Sequence, residues 1–113
     1  MLAESRHVLI IDDEPLLTEV LSLTLADEGY QVRVCHVGAE GLACVEEGFS
    51  GIILLDIHLP DVDGLDLLQP IAESSPTSRI IVMTGDGSSE VALEATRRGA
   101  YDFLTKSDDV AGR

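Results

Sequence analysis

The chain has 113 residues, with seven Lys and Arg against 21 Asp and Glu, a formal charge of −14, and 45% hydrophobic residues. That length suits one domain with a single core, and the hydrophobic content excludes a disordered chain. The acidity argues against direct binding of nucleic acid or an anionic membrane through the net field, and fits a domain that attracts cations or basic partner surfaces. No aliphatic run approaches bilayer-spanning length, and the N-terminus lacks a basic-then-apolar signal pattern, which reads as a soluble cytoplasmic protein. Cys35 and Cys44 sit in apolar patterns ("VRVC", "GLACV") and read as buried free thiols in a reducing compartment. There is no internal repeat, low-complexity tract or linker.

Taken in chain order, short aliphatic runs alternate with helically spaced segments. The first strand is "HVLII" (7–11). A helix follows with Leu17, Val20, Leu21, Thr24 and Leu25 on one face, Asp13 placed to cap it, Pro15 in its first turn and Gly29 past its end. "QVRVC" (31–35) alternates as an edge strand does, and a short helix through Ala39, Leu42 and Ala43 stops by Gly48. "GIILL" (51–55) is continuously apolar, as a strand buried on both faces is. A third helix uses Leu65, Leu68, Ile71 and Ala72, with Pro70 expected to remove a backbone hydrogen bond and kink it. "RIIVM" (79–83) is the fourth strand. The fourth helix runs from about Ser88 to Arg98, capped by Asp86 or Ser88 and closed by Gly99. "YDFLT" (101–105) is a weaker fifth strand. Strict alternation of strand and helix predicts an α/β fold, a doubly wound, five-stranded parallel sheet, for which the flavodoxin-like order 2-1-3-4-5 follows naturally although other doubly wound orders are compatible with the pattern.

In such a sheet the ligand site lies beyond the carboxyl ends of the strands, at the switch point between the first and third. The first strand ends in Asp12-Asp13, the third in Asp56, the fourth in Thr84 and the fifth in Lys106. The second, beyond the switch point, ends in Cys35-His36-Val37 with no acid. Singly, each has an ordinary reading: Asp13 a helix cap, Asp56 a loop acid, Thr84 a residue following a strand, Lys106 a solvated lysine. Together, at four strand ends facing one crevice, they read as a site. Three convergent carboxylates need a counter-ion, and a hard divalent cation with oxygen ligands, Mg²⁺, supplies it. A carboxylate nucleophile flanked by a metal, an ammonium and a hydroxyl is equipped to accept a phosphoryl group.

The pieces "VLIIDDEP", "LLDIHLPDVDG", "IIVMTGDG" and "GAYDFLTK", in that order, make residues 7–106 resemble a receiver domain of a two-component response regulator. The resemblance is to the CheY-like fold, and most of all to receivers of nitrogen-regulation-class transcriptional activators. It implies one receiver domain over residues 1–113, with Asp56 as the phosphoacceptor taking a phosphoryl group from a histidine kinase's phosphohistidine. Asp12, Asp13, Asp56 and the backbone carbonyl of His58 would hold Mg²⁺. Lys106 and Thr84 would contact the phosphoryl group, and Thr84 and Phe103 would act as the switch pair. Such a domain catalyses only its own phosphorylation and dephosphorylation and is otherwise no enzyme. The partners implied are a sensor histidine kinase or phosphotransfer domain and an output domain outside this chain. A homodimer is compatible with the resemblance, and no contact with nucleic acid or membrane is implied.

Two departures from the family stand out. Ser107 follows Lys106 where the family has Pro, so a cis bond there is disfavoured by about 2.5–4 kcal/mol. Only seven residues, "SDDVAGR", follow Lys106, so the family's fifth helix is expected to be missing or truncated. Of the remaining polar residues, His58 and Asp86 read as residues beside the site that could tune phosphoryl lifetime. His7 and His36 read as structural or solvated, Asp61 and Asp63 as acids of a turn around Gly64, and Tyr101 as a packing residue. A dehalogenase-like phosphatase fits poorly, because its second acid would stand at His58. A flavin carrier fits poorly because "DDEP" repels a phosphate. A receiver-like docking module unregulated by phosphorylation is the remaining alternative.

Overall fold

The computed structural model describes residues 6–85 and 89–106. Within them the chain runs β1 (His7–Ile11), α1 (Pro15–Asp27), β2 (Gln31–Cys35), α2 (Gly38–Glu46), β3 (Ile52–Asp56), a 3₁₀ turn (Gly64–Leu67) leading directly into α3 (Leu68–Ser74), β4 (Arg79–Thr84), α4 (Ser89–Arg97) and β5 (Asp102–Thr105). Every strand pair is parallel and the order is 2-1-3-4-5, as the doubly wound reading expects.

Strand alternation divides the core into two layers. Leu9, Ile11, Ile53, Leu55, Ile80 and Val82 point to one face and pack with Cys44 and Val45 of α2, Leu68 and Ile71 of α3 and Ala95 of α4. Val8, Ile10, Leu54 and Met83 point to the other, under Leu21 and Leu25 of α1. Each fully buried Leu or Ile contributes roughly 1.5–3 kcal/mol, so β1 and β3 anchor the sheet from which the site projects. Cys35 and Cys44 are buried free thiols, as expected, and burial pushes the Cys35 thiol above its ordinary pKa.

Several local expectations need correction. Asp13 does not cap α1; the N-cap is Glu14, which makes no side-chain cap bond. The free Glu14 N–H is taken instead by Asp12 Oδ1 at 2.9 Å. The buried stripe of α1 includes Leu17 and Thr18, whereas Val20 is 46% exposed and Thr24 is also exposed. On α2 the buried residues are Gly38, Gly41, Cys44 and Val45, with Ala39 and Ala43 turned outward. Gly41 is needed there because a Cβ would meet the side chain of Ile11. Pro70 produces no kink within a helix. The 3₁₀ turn ends at Leu67, so Pro70 is the third residue of α3, where an N–H has no intrahelical acceptor to lose. The expected caps of α4, Asp86 and Ser88, lie outside the described residues, as do Ser107 and the rest of the terminal segment. Gly99 does close α4, with φ +108°.

Candidate functional site

The register of the sheet brings the strand ends together. Ile11 pairs with Leu55, so Asp12 and Asp56 emerge side by side. Thr84 pairs with Thr105, so Lys106 leaves the sheet next to Thr84, and its N–H donates to the Thr84 carbonyl at 2.7 Å. Asp12 and Thr84 are fully buried, Asp56 is 3% exposed, and Asp13 is exposed. Above them opens a cleft of about 330 Å³ lined by Asp13, Glu14, Leu17, Asp56, His58, Gly85 and Lys106.

Lys106 Nζ is the electrostatic centre of the cleft. It lies 2.7 Å from Asp12 Oδ2, 2.9 Å from Glu14 Oε1 and 3.2 Å from Asp56 Oδ2. Burial disfavours its charge, but Asp12, Glu14 and Asp56 outweigh burial and hold it above the ordinary lysine range. Asp56 moves the other way for an acid. Burial first, and then the charge of Asp12, raise its pKa, although Lys106 and the His58 N–H (3.2 Å from Oδ1) pull it back. The result is a carboxylate short of positive charge.

One carboxylate oxygen from each of Asp12, Asp13 and Asp56 lies within 4.8 Å of the other two. Two of the three are buried, and all are hard oxygen donors, the set that suits Mg²⁺ or Ca²⁺. The residues therefore fit a divalent cation. His58 is exposed, as expected, and lines the same cleft, with its N–H donating to Asp56 Oδ1.

The loop after β3 is pinned from several sides. Gly64 N donates to Ile57 O at 2.7 Å, and His58 and Asp63 form an isolated antiparallel bridge. Asp63 Oδ1 accepts from Leu65 N and caps the 3₁₀ turn. Asp61 is more than a turn acid. Its two oxygens accept from Gly38 N at 2.8 Å and Ala39 N at 2.9 Å, capping α2 from across the molecule. Those N–H groups lower its pKa. Val37, the N-cap of α2, offers no side-chain bond of its own.

Phe103 is half-buried in the first core layer, its main chain paired with Val82. His36 is exposed, and its Nδ1 lies 3.0 Å from the carbonyl of Asp12. Tyr101 does not pack into the core: it is 62% exposed, with the Arg79 guanidinium 4.6 Å over its ring. The residues that sequence reasoning missed are Glu14 and Asp61. The only signal for the first was a third acid in "DDEP", and for the second there was none, since its partners are main-chain N–H groups 22 and 23 residues away.

This sheet order, with acids at the ends of β1 and β3 and a lysine after β5, defines a class of phosphoryl-accepting signalling domain. The chain belongs to the response regulator receiver domain family, whose description matches residues 8–111. It is 36% identical over 103 residues to the transcriptional regulatory protein GlrR of Escherichia coli, matching 91% of this chain but 23% of that protein. The chain thus spans about a quarter of that relative's length. Among solved structures, it is 40% identical to the beryllofluoride-activated NtrC4 receiver domain dimer, with a TM-score of 0.84, covering 92% of this chain and 88% of that one. It is 33% identical to a response regulator of Burkholderia pseudomallei solved with a phosphorylated aspartic acid, a calcium ion and citrate. There the TM-score is 0.86, covering 93% of this chain and 62% of that one. The likeness to the nitrogen-regulation class holds in these relatives.

Proposed function

We propose that this chain is a single receiver domain, with its core over residues 7–106, that accepts a phosphoryl group on Asp56. The donor is the phosphohistidine of a sensor histidine kinase or phosphotransfer domain. An Asp56 carboxylate oxygen attacks phosphorus as the bond to the donor's imidazole nitrogen breaks, and the imidazole leaves with the electron pair. Lys106 Nζ, 3.2 Å from Asp56 Oδ2, neutralises charge on the transferring oxygens, and Thr84 closes on them from the end of β4. Asp12, Asp13, Asp56 and the carbonyl of His58 would hold Mg²⁺, which would supply further neutralisation of those oxygens. Thr84 and Phe103 form the switch that carries the charge change to α4 and β5.

The observation that carries this reading is the placement of one carboxylate oxygen each from Asp12, Asp13 and Asp56 within 4.8 Å of one another beside one lysine. The Burkholderia relative's phosphorylated aspartic acid and calcium, and the dimer formed by the activated NtrC4 receiver, support the same chemistry and a homodimer here. The domain works in the cytoplasm on no substrate but its own aspartate, and its effect passes to an output domain outside this chain. No described helix is long and apolar enough to cross a membrane. Incubation with acetyl phosphate tests the reading by intact mass. One phosphoryl group should be gained in Mg²⁺ and none in chelator or in Asp56→Asn; a metal-independent gain, or a gain in the variant, would contradict it.

A further inference from the structure

Glu14 stands at the N-cap of α1, yet its carboxylate makes no bond to that helix. It turns to Lys106, 92 residues away in sequence, which donates to Glu14 Oε1 at 2.9 Å. An ammonium has three protons to donate. Three carboxylates stand within 3.2 Å of this one, and Glu14 takes one of its protons in a hydrogen bond, whereas Asp12 Oδ2 is paired with it by charge without a hydrogen bond. A phosphoryl oxygen on Asp56 that approaches the ammonium competes with these carboxylates for it, and most directly with the hydrogen-bonded Glu14. Losing Lys106 would leave the side chain of Asp12 or Asp56, 0% and 4% exposed, as a buried charge with less compensation, which is costly. The Glu14 side chain is 57% exposed and on release passes into water, which costs little. Glu14 is the partner that can leave.

We infer that Glu14 is a positioning residue acting through Lys106: it occupies the lysine donor that the phosphoryl group needs, and its release limits how readily Asp56 is phosphorylated. The inference rests on the reading of Asp56 as acceptor. The contact joins the β1–α1 and β5 ends of the cleft while Asp56 is unmodified and gives way when phosphorus arrives. It also makes the second partner of the lysine a tunable position, since the main chain at residue 14 contributes separately through its N–H to Asp12 Oδ1.

The test compares phosphorylation rates in acetyl phosphate and Mg²⁺ for wild type, Glu14→Gln, Glu14→Asp and Asp56→Asn. In that reaction the phosphorus–acetate bond breaks as the bond to Asp56 forms, and acetate leaves with the electron pair. Glu14→Gln keeps the reach and removes the charge; Glu14→Asp keeps the charge and removes the reach. Both should react roughly two- to fivefold faster than wild type, the range into which the energy of one exposed ion pair converts. Calorimetric titration with beryllofluoride in Mg²⁺ should show tighter binding in both by a similar factor, while their melting temperatures stay at the wild-type value. Equal rates in all three would overturn the inference and leave the acceptor reading intact. So would acceleration in Glu14→Gln alone, which would mark a field effect without the contact, or slowing in both variants. No gain in wild type would overturn the acceptor reading and this inference with it.

Discussion

Gly64 lies flush against the main chain of Asp56: a Cβ at position 64 would overlap the Asp56 carbonyl oxygen and stand 2.7 Å from Ile57 Cα. The glycine is required by space and lets the loop after β3 close directly over the residue that carries the central carboxylate. Backbone cannot yield as a side-chain tip can. Gly64→Ala is therefore expected to destabilise the domain by about 1–3 kcal/mol, the usual cost of overpacking. Because the displaced atoms belong to Asp56 itself, phosphorylation in acetyl phosphate should slow as well. Urea denaturation and intact mass check the two effects, and unchanged stability would show that the loop gives way freely.

Asp56 should cost the unmodified fold stability at neutral pH. Burial and the neighbouring Asp12 charge raise its pKa above the ordinary 3.8. A raised acid favours folding fully while protonated, below 3.8, and loses that contribution as pH rises through the folded value. Asp56→Asn, neutral at every pH, should therefore melt above the wild type at pH 7, with the gap narrowing toward pH 3.8. Mg²⁺ should raise the wild-type melting temperature more than that of the variant. Thermal melts across pH, with and without the metal, check both.

Lys106 compensates two buried carboxylates, so Lys106→Ala leaves Asp12 and Asp56 facing each other. A loss of about 3 kcal/mol is expected, the low end for breaking a buried pair. The folded pKa of Lys106 is raised above 10.5, so its contribution is full below that value and fades only in stronger alkali. The loss should thus be present at pH 7 and partly restored by millimolar Mg²⁺. Denaturant titration with and without Mg²⁺ measures it, and a loss that Mg²⁺ leaves untouched would mean that the lysine acts elsewhere in the fold.

The architecture was legible in the chain because burial wrote it there. "VLII", "IILL" and "IIVM" are largely buried on both faces, and an acid or a hydroxyl stands at the end of each, so the convergence of Asp12, Asp56 and Thr84, with Lys106 after the weaker fifth strand, was legible from the strand ends. Side-chain reach was not legible. Periodicity reports which face a residue occupies, and it is silent on where a flexible Glu14 points. It placed Asp13 as a cap by proximity, whereas Asp12 and the main chain of Glu14 form the local bond. Val20 and Thr24 fitted a helical stripe on spacing, yet the helix turns inward on a narrower stripe through Leu17, Thr18, Leu21 and Leu25. Pro70 marked a break, but the break takes the form of a 3₁₀ turn ahead of the helix.

Asp61 links the loop after β3 to α2, so its removal should be felt at both. Its pKa is held below the ordinary 3.8 by the Gly38 and Ala39 N–H groups. Its contribution is accordingly present above 3.8 and lost as pH falls through the lowered value. Asp61→Ala should destabilise at pH 7 and match the wild type in acid below that window. Amide exchange at Gly38 and Ala39 should quicken in the variant, and unchanged exchange would show that the cap does not form in solution.

The central claim is that Asp56 takes the phosphoryl group, and the most direct measurement locates it. After incubation with acetyl phosphate and Mg²⁺, borohydride reduction converts an aspartyl phosphate to homoserine, which peptide mass spectrometry assigns to a position. Homoserine at residue 56, dependent on Mg²⁺ and absent elsewhere, is the expected result. Homoserine at Asp12 or Asp13 in place of Asp56, or a phosphoryl group on a side chain outside the cleft, would contradict the account.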